Sequence, residues 1–101
     1  MTEFLPSEFY LAQNYPNPFR KKTVIKYCIA HKTRVRLTVY NSKGKIIEKL
    51  VDEEKNPGTY EIEFDLSRCH SSEDLNLTIG TYLYLLEAGD YKSEKKMGII
   101  K

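Results

Sequence analysis

The chain has 101 residues and a formal net charge of +2, with 16 basic side chains against 14 acidic ones. This length predicts a single domain with a modest apolar core, which leaves little room for a deep, strained active site. A charge so near balance argues against nucleic acid as the main partner, because domains that bind phosphate groups concentrate a large basic excess on one face.

Membrane spans and metal sites are not predicted either. No run of about 18 apolar residues is present, and the N-terminus lacks the basic start of a secretory signal peptide. The cysteines, Cys28 and Cys69, and the histidines, His31 and His70, do not have the paired spacing of a zinc site, so no cofactor is expected. Two independent thiols are favoured, while a single disulfide between the two cysteines stays open.

The first element is a proline-containing leader, Leu11 to Phe19, with the sequence LAQNYPNPF. Pro16 and Pro18 each remove a backbone donor and push the residue before them toward extended geometry. The leader therefore cannot be a helix or an ordinary strand. We predict a stiff segment that the rings of Tyr15 and Phe19 anchor at the edge of the domain that follows.

Two segments with period-two alternation come next, Thr23 to Ala30 and Arg34 to Tyr40, and this alternation predicts β-strands. Only the short turn His31 to Thr33 separates them, so we predict that they pair as a hairpin. Their inward apolar residues are Ile25, Tyr27 and Ile29 in the first strand and Val35, Leu37 and Val39 in the second.

The segment Lys45 to Asp52 is ambiguous, because the doublets Ile46-Ile47 and Leu50-Val51 break the period of two. A helix would also accept these positions, but a bulged strand is favoured since both neighbouring segments are strands. The acidic run Asp52 to Lys55 lacks the glycine-containing ligand spacing of a calcium site and is predicted to be a solvated loop.

Two more strands are predicted in the second half of the chain. Thr59 to Asp65 alternates, and Gly80 to Ala88 is apolar on both faces, which is typical of a central strand. Between them, Leu66 to Thr78 is rich in Ser, Asp and Asn and is interpreted as a surface loop. The last segment, Tyr91 to Lys101, ends in a short apolar and basic tail. In Thr59 to Asp65 the inward residues are Tyr60, Ile62 and Phe64. In Gly80 to Ala88, one apolar face holds Tyr82, Tyr84 and Leu86 and the other holds Leu83 and Leu85.

With a short strand near Phe9 to Gln13, the chain contains about seven strands at intervals of roughly 8 to 12 residues, separated by Gly, Pro and Asn turns. This pattern predicts an all-β fold, an antiparallel immunoglobulin-like β-sandwich. The Cys, Trp and Cys landmarks of antibody domains are missing.

No catalytic site is predicted, because neither a GxSxG motif nor a catalytic cysteine motif is present. Ser67, Cys69 and His70 are the best triad fragment, but they lie in one polar loop, whereas working triads converge from separate elements. The alternative function is a cell-surface module that binds carbohydrate or protein through exposed aromatic rings. The candidate residues for such a platform are Tyr10, Tyr15, Tyr40 and Tyr91.

The order of motifs along the chain resembles the type A C-terminal sorting domain of cargo proteins of the type IX secretion system, the exporter of Bacteroidetes. The matching motifs are LxQNYPNPF at 11–19, TxIxY at 23–27, VxLxVYNxxG at 35–44, GxYxxxFD at 58–65, GxYxY at 80–84, AG at 88–89 and KKMxxIK at 95–101. Two features depart from the family pattern: the loop Leu66 to Ile79 is longer than usual, and Ile79 stands where a small residue is usual. The immunoglobulin-like module of the flagellar hook-capping protein is a weaker match, since it lacks the leader and the tail.

This resemblance implies a non-enzymatic export signal. Cargo fused upstream would reach the periplasm by its own signal peptide, and the outer-membrane translocon with its sorting and processing proteins would then deliver it to the cell surface or outside the cell. Residues 11–101 would form the sorting domain and residues 1–10 a lead-in. The leader would act as the hinge between cargo and signal through Asn14, Tyr15, Pro16, Asn17, Pro18 and Phe19.

Recognition by the partner is expected at the C-terminal end. There, apolar side chains would add to a partner's sheet edge while lysines steer the domain toward an acidic surface. The bland interpretation is that the apolar residues of this end only form the inward side of the last strand. The recognition residues are Lys95, Lys96, Met97, Gly98, Ile99, Ile100 and Lys101.

Overall fold

The computed structural model describes residues 7–66 and 79–100, which form seven β-strands. The strands are β1 (Tyr10–Leu11), β2 (Lys22–Ile29), β3 (Thr33–Tyr40), β4 (Ile46–Lys55), β5 (Gly58–Asp65), β6 (Gly80–Ala88) and β7 (Tyr91–Ile99). A three-stranded sheet has the order β1-β2-β5 and a four-stranded sheet the order β4-β3-β6-β7, with antiparallel pairing throughout. The predicted all-β antiparallel sandwich is confirmed. The predicted surface loop lies outside the described residues from residue 67 to residue 78.

The predicted hairpin between the second and third strands is wrong. β2 pairs with β1 and β5, whereas β3 pairs with β4 and β6 in the other sheet. The charges on the outer faces explain this choice. β2 and β3 both carry basic outer residues, while β5 and β4 carry acidic ones, so the observed pairing sets Lys26 against Glu61 and Arg36 against Asp52. Pairing β2 with β3 would instead bring like charges together across the strands, which is destabilising.

β4 is the bulged strand that the two apolar doublets predict. Its register against β3 shifts between Leu37 and Thr38 and again between Val39 and Tyr40. Each shift skips one residue of β4 in the register with β3, first Leu50 and then Ile47, because two residues on one strand oppose a single residue on the other. The bulges therefore keep Ile47 and Val51 buried despite the broken alternation.

The predicted acidic loop is also wrong, because β4 continues through it to Lys55. The register places Asp52 opposite Arg36 and Glu54 opposite Arg34. Nη2 of Arg34 lies 2.9 Å from Oδ1 of Asp52, and the hydrogen bond from Arg34 holds the pKa of this exposed carboxyl below its usual range. Basic residues on the neighbouring strand thus make the acidic run compatible with a sheet edge.

The core lies between the inner faces of the two sheets, as the alternation predicts. The rings of Tyr27 and Tyr60 stack with centroids 5.4 Å apart, and the rings of Phe19 and Phe64 meet edge to face at 6.0 Å. β6 is central, between β3 and β7, which confirms that prediction. The fully buried core residues of the strands include Leu11, Ile25, Tyr27, Ile29, Val35, Leu37, Val39, Phe64, Tyr84, Leu86, Ala88 and Met97.

Candidate functional site

Most of the tail (residues 95–101) belongs to β7, whose residues alternate between the core and the outer face. Met97 and Ile99 are buried among the core residues. Lys96 and Ile100 are exposed, and Lys101 lies outside the described residues. The interpretation that the apolar residues of the tail only form the inward side of the last strand therefore holds for Met97 and Ile99. It does not hold for Ile100, which is exposed.

The first half of the leader (Leu11–Phe19) is bonded to β2. The N–H of Ala12 donates to the carbonyl of Lys26 at 2.9 Å, and Tyr15 and Val24 exchange two backbone hydrogen bonds of 3.0 and 2.9 Å. Both proline peptide bonds of the leader, Tyr15–Pro16 and Asn17–Pro18, are cis. Because of its hydrogen bonds to β2, the first half of the leader continues the edge of the three-stranded sheet beyond β1.

The second half of the leader is bonded to β7 in the other sheet. The N–H of Phe19 donates to the carbonyl of Gly98 at 3.0 Å, and the carbonyl of Phe19 accepts from the N–H of Ile100 at 2.8 Å, which forms a parallel bridge. Oδ1 of Asn17 accepts from the N–H of Gly98 at 2.9 Å. Gly98 permits this approach, because a Cβ at its position would lie 3.2 Å from Cβ of Pro18.

Asn14 is the buried polar centre of the leader. Its backbone N–H donates to the hydroxyl of Tyr84 at 2.8 Å, and that hydroxyl in turn donates to the carbonyl of Ala12 at 2.8 Å. Its side-chain amide donates to Oγ1 of Thr23 at 3.0 Å and to the carbonyl of Pro16 at 3.2 Å. Burial raises the pKa of Tyr84 to about 12, so the phenol stays protonated and able to donate over the whole neutral range.

Gln13 completes the connection between the leader and the tail. Its Nε2 donates to the carbonyl of Lys96 at 2.6 Å and to Oδ1 of Asn14 at 2.8 Å. Sequence reasoning named Asn14 but missed Gln13, Thr23 and Tyr84 as its partners. Thr23 carried a usable signal, since it is a polar residue in the inward row of β2 and such a residue needs a buried partner.

Only one of the two predicted aromatic anchors packs against the domain. The side chain of Phe19 is 2% exposed, while that of Tyr15 is 80% exposed. The difference follows from the pairing of Tyr15 with Val24, which lies in the outward row of β2 and so places both side chains on the outer face of the three-stranded sheet. The anchoring role predicted for Tyr15 is therefore wrong, and its backbone holds the leader instead.

These contacts correct two further expectations. The leader is a bonded part of the folded domain from Ala12 to Phe19, which does not fit a hinge at this segment. The expected addition of the tail to a partner's sheet edge does not fit either, because the outward backbone groups of Gly98 and Ile100 are already bonded to the leader. What the tail presents to solvent is its outer face.

The other candidate sites do not assemble among the described residues. Tyr10 and Tyr15 lie on the three-stranded sheet, Tyr40 ends a strand of the four-stranded sheet, and half-buried Tyr91 stacks on Phe9 at 5.4 Å, so the four tyrosines form no common platform. Cys28 is a half-buried free thiol. The triad fragment at residues 67, 69 and 70, with the second cysteine, lies outside the described residues.

Within residues 7–66 and 79–100, no three His, Cys, Asp or Glu side chains are grouped so that they would hold a metal ion. No helix in this part of the chain has the length and apolar character needed to cross a bilayer.

The sequence model of the secretion system C-terminal sorting domain matches residues 13–101, from Gln13 of the leader to the last residue of the tail. The chain belongs to this family. Members of the family are the C-terminal sorting signals of type IX secretion, so this domain is a sorting signal, is not itself catalytic, and marks a protein for export to the cell surface or the extracellular space. No curated protein matches the sequence.

A solved structure shares the fold of this sorting domain. Dimeric latent PorU from Porphyromonas gingivalis matches with a TM-score of 0.64 and 17% sequence identity, over 94% of this chain and 10% of that chain. The chain thus spans about a tenth of the length of PorU. At this identity the likeness concerns the fold, a sandwich of two antiparallel sheets.

Proposed function

We propose that the sorting domain is recognised in the periplasm through the outer face of its tail, by components of the outer-membrane translocation machinery that then export the cargo fused upstream. The observation that carries the proposal is the alternation of β7, in which Met97 and Ile99 hold the strand in the core while Lys96 and Ile100 face solvent. Recognition therefore uses side chains of the outer face, with Lys96 as the basic group of that face that favours an acidic partner, whereas Lys95 is half-buried in the inward row.

The leader supports this role by holding the tail in one place. Three of its side chains and backbone groups, from Gln13, Asn17 and Phe19, bond to the backbone of residues 96, 98 and 100. A C-terminal end that is fixed in this way loses less conformational entropy on binding than a free end would. The leader is then a positioning element for the signal, and the partner contacts the tail.

The test is a secreted reporter with this domain at its C-terminus, expressed in a bacterium that has type IX secretion. A deletion of residues 95–101 is a poor test, because it removes the core side chains of Met97 and Ile99 and destabilises the sandwich. The double variant Lys96→Glu with Ile100→Glu changes only exposed side chains. We expect it to fold normally and to leave the reporter in the periplasm.

The matched control is Met97→Leu, which alters the inner side of the same strand with little change in volume and should be exported normally. Thermal unfolding of the purified domain checks that each variant is folded. Export of the double variant at the rate of the unchanged domain would refute recognition through the outer face of the tail.

A further inference from the structure

The outer faces of the two sheets differ in chemistry. On the three-stranded sheet, two cross-strand ion pairs lie on the same face as exposed Tyr10 and Tyr15, with Lys22 3.7 Å from Glu63 and Lys26 3.3 Å from Glu61. On the four-stranded sheet, the ion pairs stay at one end, where Arg34 and Arg36 meet Asp52 and Lys92 meets Glu87. The opposite end of this sheet is apolar.

We call this end the outer apolar patch, and the strand register shows how it forms. Tyr40 pairs with Ile46 on one side and with Leu83 on the other, so the three side chains lie in a row across β4, β3 and β6. Leu85 follows Leu83 on the same face of β6, and both are half-buried. Ile79 precedes β6 and Ile100 follows β7, next to the pair formed by Gly80 and Ile99. The members of the patch are Tyr40, Ile46, Ile79, Leu83, Leu85 and Ile100.

Three members of the patch are strongly exposed for aliphatic side chains. The exposed fractions are 45% for Ile46, 59% for Ile79 and 40% for Ile100. Between Leu83 and these last two residues lie Thr81 and Gly98, which pair across β6 and β7, and Pro18 of the leader packs against Gly98. Contiguous apolar surface on a small domain, rimmed by polar groups, marks an interaction site.

A depression adjoins the patch. It has a volume of about 320 Å³ and runs from Tyr40 and Ile46 to the ion-paired end of the sheet, where Arg36, Asp52 and Glu87 line it. A depression of this size accepts a protruding side chain, and the low apolar row beside it accepts a complementary surface. This shape favours a folded protein over a lipid bilayer, which would require apolar side chains that protrude from the domain.

The charges around the patch identify the kind of protein. Lys43 and Lys45 lie in the exposed turn between β3 and β4, and Lys49 lies on β4. Lys96 lies on β7, where it pairs with Leu83 of β6. Among the described residues, none of these four ammonium groups is engaged in an ion pair. A basic rim without internal partners fits a surface whose own rim is acidic.

We infer that the outer apolar patch is a docking surface for a protein of the secretion machinery that presents a protruding apolar side chain or ridge rimmed by carboxylates. This inference rests on the proposed function and extends it, since Ile100 and Lys96 belong to the tail while Tyr40, Ile46, Ile79 and Leu83 lie far from it in sequence. The partner then binds a surface that the tertiary structure creates, because this surface exists only when β3, β4, β6 and β7 are assembled. An unfolded domain carries the same tail and lacks this surface.

The test uses the reporter fusion with the double variant Ile46→Glu and Ile79→Glu, which leaves the tail unchanged. Burying a charge in the proposed apolar contact should weaken binding by about tenfold or more, so most of the reporter should stay in the periplasm. The matched control is Tyr10→Glu with Tyr15→Glu, which places two charges at exposed aromatic positions on the opposite outer face. The control should be exported like the unchanged domain.

A charge test addresses the rim separately. Lys45→Glu with Lys49→Glu should reduce export, whereas Lys45→Arg with Lys49→Arg should preserve it. Export of the isoleucine double variant at the normal rate would overturn the inference. If the tail variant is retained while the isoleucine variant is exported, only the docking surface fails; if both are exported, the proposed function fails as well.

Two measurements on the purified chain test other occupants of the patch, namely a second copy of the chain and a lipid surface. Sedimentation shows whether the unchanged chain dimerises at micromolar concentration and the isoleucine variant does not, a result that would assign the patch to a second copy. Flotation with phosphatidylglycerol vesicles shows whether the patch binds lipid. Either positive result would overturn the inference, and a monomer that does not float supports it.

Discussion

The leader and the tail lie side by side at one edge of the sandwich, yet they divide their residues differently. The leader turns Leu11, Asn14 and Phe19 into the domain and bonds its backbone to both sheets. The tail divides its residues evenly, with Met97 and Ile99 inside and Lys96 and Ile100 outside. The comparison teaches that the most distinctive sequence motif of the chain is bonded into the fold, whereas the end of the last strand keeps two side chains exposed, and these are the ones on which the proposed recognition depends.

The largest expected effect separates the two aromatic residues of the leader. Phe19→Ala should lower the free energy of unfolding by about 3–5 kcal/mol, because it removes a buried ring from the core. Tyr15→Ala should change it by less than about 0.5 kcal/mol, because that ring is exposed. Urea unfolding of both variants measures the difference, and similar losses in the two variants would contradict the placement of the leader.

The stability of the domain at alkaline pH tests the raised pKa values of two buried phenols, those of Tyr27 and Tyr84. Burial raises the pKa of Tyr27 and Tyr84 to about 12 in the folded chain, above the ordinary value of 10.0. The unfolded chain therefore releases these protons first. Each tyrosine should contribute its full stabilisation below about pH 10 and lose roughly 2–3 kcal/mol of it as the pH rises to about 12.

Tyr84→Phe provides the control for this pH dependence. The variant should be less stable at neutral pH, because the N–H of Asn14 and the carbonyl of Ala12 lose their partner. Its free energy of unfolding should nevertheless fall less steeply between pH 10 and pH 12 than that of the unchanged chain. Equal slopes would show that Tyr84 does not titrate with a raised pKa.

The smallest predicted effect compares the two asparagines of the leader. Asn14→Ala should cost about 1–3 kcal/mol, because it leaves buried hydrogen-bonding groups unsatisfied near Thr23. Asn17→Ala removes one exposed hydrogen bond to Gly98 and should cost about 1 kcal/mol or less. Thermal unfolding compares the stability of the two variants. A larger loss of stability in the Asn17 variant would contradict the view that the buried hydrogen bonds of Asn14 hold the leader in place.

The strands were predictable because apolar alternation is a local property. Inward rows such as Val35, Leu37 and Val39 follow from period two, and the doublets of β4 predicted its bulges. Pairing was not predictable from alternation, since a row of inward residues does not name its neighbour. The cross-strand charges of Arg34 and Asp52 were the available signal for both the missed pairing and the missed end of β4.

The polar centre of the leader was beyond local reasoning. The hydrogen bond between Asn14 and Tyr84 joins residues 70 positions apart, so no spacing rule connects them. The exposure of Tyr15 was equally hidden, because it depends on which face of β2 its partner Val24 occupies. The outer apolar patch likewise gathers residues from three strands, with Ile79 and Ile100 from just outside β6 and β7, and only the strand register brings them together.

The parallel bridge between Phe19 and Ile99 has a mechanical consequence. A force applied at the start of the leader and at the end of the tail pulls these two parallel segments in opposite directions along their length. The hydrogen bonds of Phe19 to Gly98 and Ile100 are then loaded in shear and share the load. Bonds arranged in this way are loaded together, whereas bonds pulled apart from one end would break one after another.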